Sequence, residues 1–504
     1  MDHARGHQVH PRRDREVEPH DRRAAEVTSA PVLGALAAFA AGAPPVAVPV
    51  SVREEAARVV LDSIGCALAA VETPAGRIAR SYADVLAGPV RDTTVIGVGR
   101  SSLHGAAYAN CELVAALDMA PINQPGHVAP YVVATALAVA ERGDRALAET
   151  VDAVAVGLEV AQRFASAMDT NRAVVDDRPV LSPVMGFASS IFAAAAAGTR
   201  LRDADQTLTA DVLGIAAATS PVNSLRSWQL HTHSTSVKYG LGGGLVQAAL
   251  HAVLAAELGH RGDRMILDDA THGYPAFIGT RRWEPEQITR GLGQQWTFPA
   301  GTHLKPYPHC RVTHGVFDAL AALVEREDLT PGEIESITAH GEAWATGVPT
   351  YMNDEIRLPV DAQFSFRHGI SVVAHRVPPG KAWQDPAVVH DPSVTALMER
   401  IEWRAHEGWA DAYAAHPSAR PARVEVVARG TTFVEERDFP RGSPSPDPAT
   451  TFTTDEVVAK FRHNAAGVVT ADSVDRVVTA LTGRLSTVTV RDLMADLDPT
   501  GRTS

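Results

Sequence analysis

The stretch with the most chemistry per residue is Lys305-Pro306-Tyr307-Pro308-His309-Cys310-Arg311-Val312-Thr313-His314, which runs into an apolar segment from Gly315 to Val324. A lysine followed by two alternate prolines sits on stiffened, extended backbone. Thr313 and His314 then fall near the start of a helix. Cation, hydroxyl, imidazole and the positive end of a helix could converge there on one carboxylate, which makes Tyr307, Thr313 and His314 candidate substrate-binding residues. The plainer alternative is a linker between domains with an exposed lysine. Other polar clusters carry less. Gly240-Leu-Gly-Gly-Gly244 lacks the GxGxxG spacing and a leading strand, so a dinucleotide site is not expected. His231-Thr232-His233 has no carboxylate or cysteine partner at ligand spacing, and no metal is expected. No G-x-S-x-G elbow is present, which removes the usual esterase reading.

Stepping outward from these residues, Val52 to Leu258 is dominated by Ala/Leu/Val segments broken at short polar or Gly/Pro turns. Helices are expected over Glu54–Ala70, Val128–Glu141, Val151–Ala165 and Gly186–Thr199, packed closely because their side chains are small. After Pro299 the texture changes. Short β-prone runs at Ser336–His340, Arg423–Arg429 and Thr451–Thr454 alternate with helical segments such as Val312–Arg326, an α+β pattern. Arg441–Ala449 is rich in Pro and Ser and is expected to be a surface loop. Asp455–Ala465 and Asp472–Leu485 are helical again. The organisation expected is a polar, disordered extension over 1–28, a helical domain over 29–300, an α+β lid domain over 301–449, and a segment over 450–504 that returns to the helical domain. The fold class is mostly α.

Bulk properties bound the partners. Across 504 residues, Lys+Arg 46 against Asp+Glu 59 gives a formal net charge of −13, which repels phosphate backbones and anionic membrane surfaces. Neither nucleic acid nor membrane is an expected partner. Cys66, Cys111 and Cys310 lie far apart and form neither a disulfide framework nor a CxxC motif, which suits a reducing cytoplasm. The apolar stretch Val32–Val50 is interrupted by Pro44, Pro45 and Pro49, so a buried helix followed by a turn is expected instead of a membrane span.

The K-P-x-P-x-C-x-x-x-H segment opening the second domain resembles that of the MmgE/PrpD family. Further stretches are similar in the same order: Leu61–Ala69, Asn110 through Ala116-Leu117-Asp118, Gly157–Arg163, Lys238 ahead of the glycine-rich helix start, and Asp361–Phe366. The resemblance covers Val52 to Ala465. It implies an all-helical domain with an α+β lid, a homodimer, no metal or other cofactor, and a small carboxylate substrate that is dehydrated, decarboxylated or epimerised. Position by position it carries over Asp118, Lys238 and Lys305 as site residues, against the plainer readings of a helix-end carboxylate and solvent-facing amines.

Several family positions differ. The histidine three residues before Asp118 is Ala115, the two following acids are Ala120 and Pro121, and a His-Pro-Gly turn is replaced by Gln124-Pro125-Gly126 with His127 next. The family histidine near Val180 to Ser182 is absent, and a tyrosine of some members corresponds to His368. The expectation is therefore a lyase that dehydrates a β-hydroxy-carboxylate in a specialised biosynthetic pathway. Asp118 or His127 is the base, His368 the acid, and Lys238 and Lys305 the carboxylate clamps. Decarboxylation or epimerisation on the same scaffold, and a catalytically silent scaffold, are the competing readings.

Overall fold

In the computed structural model, residues 31–42, 47–169, 172–175, 178–181, 187–221, 227–238 and 241–500 are described. The extension expected over 1–28, the start of the helix expected from Gly186, and Gly240 lie outside them. Val32–Ala41 is a helix ended by Gly42 in the left-handed region, φ 70°, the conformation glycine adopts most readily at a helix C-terminus. Val50–Ala70 follows, and from Val59 to Ala70 every residue is buried. Such a helix carries apolar or small side chains on all faces because it has neighbours on all faces. The same holds for Ala129–Arg142 and most of Leu147–Ala167. Gly157 sets how closely these helices approach. A Cβ there would stand 2.8 Å from both the Ala193 carbonyl and Val132 Cγ1, so only a bare backbone fits between the Ala129–Arg142 and Ser190–Arg200 helices.

Two hydrophobic cores result. One gathers side chains from Val32 to Leu304 and takes in Phe452, Val457, Phe461, Val477, Leu493 and Leu497 from the C-terminal end. The other is built from Val312 to Ala428 with Phe187. Its sheet has Ile334–Gly341 at the centre, parallel to Ile401–Ala405 on one side and antiparallel to Ala422–Ala428 on the other, with Thr431–Arg437 at the edge. Along Ala422–Ala428 burial alternates residue by residue, the period-two pattern of a strand with one covered face. The helices His314–Arg326 and Phe366–Ala374 belong to this core. The molecule is thus a mostly helical fold with a smaller α+β domain. No single helix among the described residues is long and apolar enough to cross a membrane.

One expected strand is not there. Thr451–Thr454 leads into the helix Thr454–Ala465, where Thr453 and Glu456 form a capping box. The threonine hydroxyl satisfies a helix-end N–H, which outweighs the β propensity of the short run. His231 and His233 lie on an irregular segment and not on a strand.

Candidate active site

Asp118 follows the Leu103–Ala115 helix with φ 56°, in the left-handed region that Asp and Asn tolerate better than other residues with a side chain. That geometry turns its carboxylate inward, and it is 1 % exposed. Lys305 Nζ lies 2.7 Å from Oδ2 and also donates to the Asp118 carbonyl. Lys238 Nζ lies 3.4 Å from Oδ1 and donates to the Ala115 carbonyl at 3.0 Å and to Gln363 Oε1 at 2.5 Å. His127 Nε2 stands 3.9 Å from Oδ1. The imidazole is presented by the turn Asn123–Gly126, whose ends exchange backbone hydrogen bonds of 2.9 and 2.7 Å. Gly126 is required at this turn because a Cβ would stand 1.8 Å from the Phe187 ring.

The supporting frame is amide and lysine chemistry. Gln363 Nε2 donates to the Ala116 carbonyl at 2.8 Å and to Gln384 Oε1 at 2.7 Å, while Gln384 Nε2 donates to Leu117 and Pro308 carbonyls. Lys460, from the C-terminal end of the chain, donates to the carbonyls of Met119 at 2.8 Å and Lys305 at 2.9 Å and pairs with buried Asp62 at 2.7 Å. Three separate stretches of chain are thereby tied to the loop that carries Asp118.

The charges set the protonation states. Burial alone would raise the Asp118 carboxyl, but the ammonium groups of Lys305 and Lys238 overcome it and hold the group well below the usual carboxylate range. Burial pushes His127 down to about 3, with Asp118 opposing and the two lysines adding to the depression. Burial likewise lowers Lys238 to about 8, against the pull of Asp118 and with a push from Lys305. At neutral pH the cluster holds an ionised carboxylate, a neutral imidazole and an ammonium close to its own titration.

His127 forms part of the wall of a cavity of about 500 Å³ between the two cores. Gln162, Cys310, Arg311, Tyr351 and Phe364 also line it. Asp118, Lys238 and Lys305 stand behind that wall, so the carboxylate that the two lysines hold is the protein's own. Both lysines are buried, which excludes the readings of an exposed linker and of solvent-facing amines.

The remaining expected residues lie elsewhere. Tyr307 donates to Asp318 at 3.0 Å, Thr313 bonds His309 Nδ1 at 2.8 Å, and His314 Nε2 lies 3.0 Å from the His309 carbonyl. Thr313 and His314 brace the 305–314 segment internally, because its short helical turn folds the hydroxyl and imidazole back onto the segment's own atoms, and Tyr307 ties the segment to the following helix. His368 is fully buried in the Phe366–Ala374 helix, where burial lowers it to about 4, and it is not part of the cavity wall.

Residues 34–286 match the MmgE/PrpD N-terminal domain and residues 307–482 match the MmgE/PrpD C-terminal domain. The chain belongs to the MmgE/PrpD family. Comparison with curated proteins found no match. The family includes lyases of the dehydratase type. Stretches that carry the family likeness have clear local jobs in the structure. Within Leu61–Ala69, Asp62 receives Lys460. Within Gly157–Arg163, Glu159 pairs with Arg163 at 2.6 Å and accepts from the backbone of Thr297 and Phe298, while Arg163 donates to carbonyls of Ile288, Arg290 and Gln295. That pins the loop ahead of Lys305 to the helical core.

Sequence reasoning missed Lys460, Gln363, Gln384 and Arg311. A signal for the first was available. The chain has only four lysines among its 46 basic residues, Lys238, Lys305, Lys381 and Lys460. A chain that uses arginine for nearly all its surface cations keeps lysine where a compact ammonium is needed. Three of the four meet around the Asp118 loop.

Proposed function

We propose that the protein is a dehydratase of a β-hydroxy-carboxylate, with His127 as the base. The observation that carries this reading is a neutral imidazole on a cavity wall, backed by an ionised carboxylate whose two ammonium partners include one that titrates near neutrality. Asp118 is the weaker candidate for the base, since two ammonium groups stabilise its ionised form and it does not reach the cavity. Its work is to orient the imidazole and to stabilise the imidazolium as it forms. His127 takes the proton from the carbon beside the carboxylate, and those electrons form the double bond as the C–O bond breaks. Lys238, which stands behind the wall, sends its proton through a cavity water to the departing hydroxyl, which leaves as water, and the proton on His127 returns to Lys238 by the same route. Lys305 balances Asp118, and Arg311 on the wall meets the substrate carboxylate. This arrangement replaces the expected division of labour, in which the two lysines clamp substrate and His368 is the acid.

The test is incubation of the purified protein with β-hydroxy acids in D₂O, followed by mass spectrometry and ultraviolet detection of the conjugated alkene. Loss of water is expected, and His127→Ala should lower kcat by about 10²–10⁴-fold, the usual contribution of general acid–base catalysis. Release of carbon dioxide would replace the reading with a decarboxylase. Deuterium at the carbon beside the carboxylate without alkene would indicate an epimerase. No reaction with any acid, together with unchanged behaviour of a Lys238→Ala/Lys305→Ala variant, would leave a silent scaffold.

A further inference from the structure

Among the described residues, the cavity in front of His127 is larger and less cationic than a compact polycarboxylate requires. Its volume of about 500 Å³ lies within the range of pockets that enclose ligands of drug size, roughly 300–1,000 Å³. Its cations are mostly engaged with the protein itself. Arg282 donates to the carbonyls of Ser166, Ala165 and Met168 and pairs with Glu284. Arg420 pairs with Glu342, both of them buried. Lys238 and Lys305 share Asp118, the buried carboxyl of Glu112 also acts on Lys238, and Arg311 lies beside His127. Among the described residues this suits one carboxylate.

Apart from Asp169, the rest of the described lining is aromatic or neutral. Phe187, Trp344, Tyr351 and Phe364 contribute rings, and Gln124, Gln162 and Gln229 contribute amides. One helix face forms the wall that Gln162 belongs to: Gln162, Ala165 and Ser166 follow the i, i+3, i+4 spacing at the end of Leu147–Ala167, with Asp169 just beyond the helix. Gln162 is 4 % exposed, yet neither Nε2 nor Oε1 has a hydrogen-bond partner. A buried amide left in this state destabilises the protein, and native structures seldom keep one without a use for it. Gly301 leaves it room, since a Cβ there would come within 2.5 Å of Nε2. The terminal torsion of glutamine is broad, so the amide can turn toward a ligand without disturbing the helix.

We infer that the cavity takes an extended hydroxy monocarboxylate whose chain passes between the aromatic side chains and ends in a neutral hydrogen-bonding group, such as an amide, that completes Gln162. This rests on the dehydratase reading for the position of the carboxylate at Arg311 and His127, but its test is one of binding and does not depend on turnover.

Isothermal titration would compare three probes on the wild-type protein and on Gln162→Leu: a hydroxytricarboxylate, 3-hydroxy-6-phenylhexanoate, and the analogue of the latter with a secondary amide in its chain. The wild-type protein should bind the amide acid at least tenfold more tightly than the tricarboxylate, and more tightly than the amide-free acid. In Gln162→Leu the preference for the amide should fall about five- to tenfold, the worth of one hydrogen bond, and the variant should melt at or above the wild-type temperature. Equal or tighter binding of the tricarboxylate, an amide preference that survives the substitution, or a lower melting temperature would each overturn the inference. An amide acid that binds through Gln162 but is never dehydrated would leave the inference standing and remove the dehydratase reading. A tricarboxylate dehydrated without regard to Gln162 would do the reverse.

Discussion

Asp118 stands at φ 56° with Lys305 Nζ 2.7 Å and Lys238 Nζ 3.4 Å from its carboxylate, and its backbone and its charge favour the same side chain. The consequence that can be measured is at Lys238, lowered by burial to about 8, and at His127, lowered by burial to about 3. His127 is the competent base above about 3, and Lys238 is the competent acid below about 8. Within the dehydratase reading, kcat/KM should therefore be level through neutrality and fall as pH rises through about 8. Lys238→Arg keeps the cation and removes its titration, because a guanidinium stays protonated to beyond pH ~12. Its absolute rate will drop, but the alkaline fall should vanish from the profile. A fall near pH 8 that persists in the arginine variant would assign the acid to another group. At this scale the sequence was informative where a residue type is chemically rare. Asp118, Lys238, Lys305 and His127 were all legible as candidates, and the structure brings the four together. Thr313 and His314 turn back onto their own segment, a direction that spacing along the chain does not give, while Tyr307 bonds Asp318 and His368 is buried in the helix Phe366–Ala374.

Among elements, the helix Thr454–Ala465 contributes more than apolar cover, since Lys460 bonds the carbonyls of Met119 and Lys305 and pairs with Asp62. Lys460→Met keeps the packing volume but leaves Asp62, 1 % exposed, without its cation, which should lower stability by about 3–5 kcal/mol. The double variant Asp62→Asn/Lys460→Met should regain most of that loss in a chemical denaturation experiment. Activity should not return with it, because the carbonyls of Met119 and Lys305 still lack their donor and the Asp118 loop loses its brace. Full recovery of kcat in the double variant would reduce Lys460 to a charge partner of Asp62. The same helix shows what was legible in the elements. Long Ala-rich helices such as Ala129–Arg142 are unmistakable because burial on nearly all sides leaves an almost unbroken apolar run. Ile401–Ala405 and Thr431–Arg437 were not read as strands, since the exposed positions carry Glu and Arg and only every other residue faces the core. A charged edge strand such as Thr431–Arg437 suits a sheet that must not pair further, and the same charges hide it in a hydrophobicity pattern.

Across the described residues, the helix Val32–Ala41 and the helices after Thr453 share one core, and this has a consequence for truncation. Val457, Phe461, Val477, Leu481, Leu493, Met494 and Leu497 are buried among side chains of the helices between Val32 and Glu257. At about 1.5–3 kcal/mol for each large apolar side chain buried, their combined contribution reaches or exceeds the whole folding free energy of a typical protein, about 5–15 kcal/mol. Only part of it is returned as conformational entropy of the freed tail. The loss is also two-sided, because the Val50–Ala70 helix loses the neighbours that cover it, and at Gly65 the fit is tight enough that a Cβ would stand only 3.2 Å from the Phe461 ring. A chain stopped at Thr451 keeps every residue of the α+β core and Asp118, Lys238 and Lys305, and on composition alone it would be taken for a trimmed enzyme. It should nonetheless lack a cooperative thermal transition and bind an apolar dye, whereas a chain stopped at Pro499 should melt as the full chain does. If the shorter chain melted cooperatively within a few degrees of the full one, the helical core would be complete without its C-terminal end, and the bracing of the Asp118 loop by Lys460 would be an addition to a site that assembles without it.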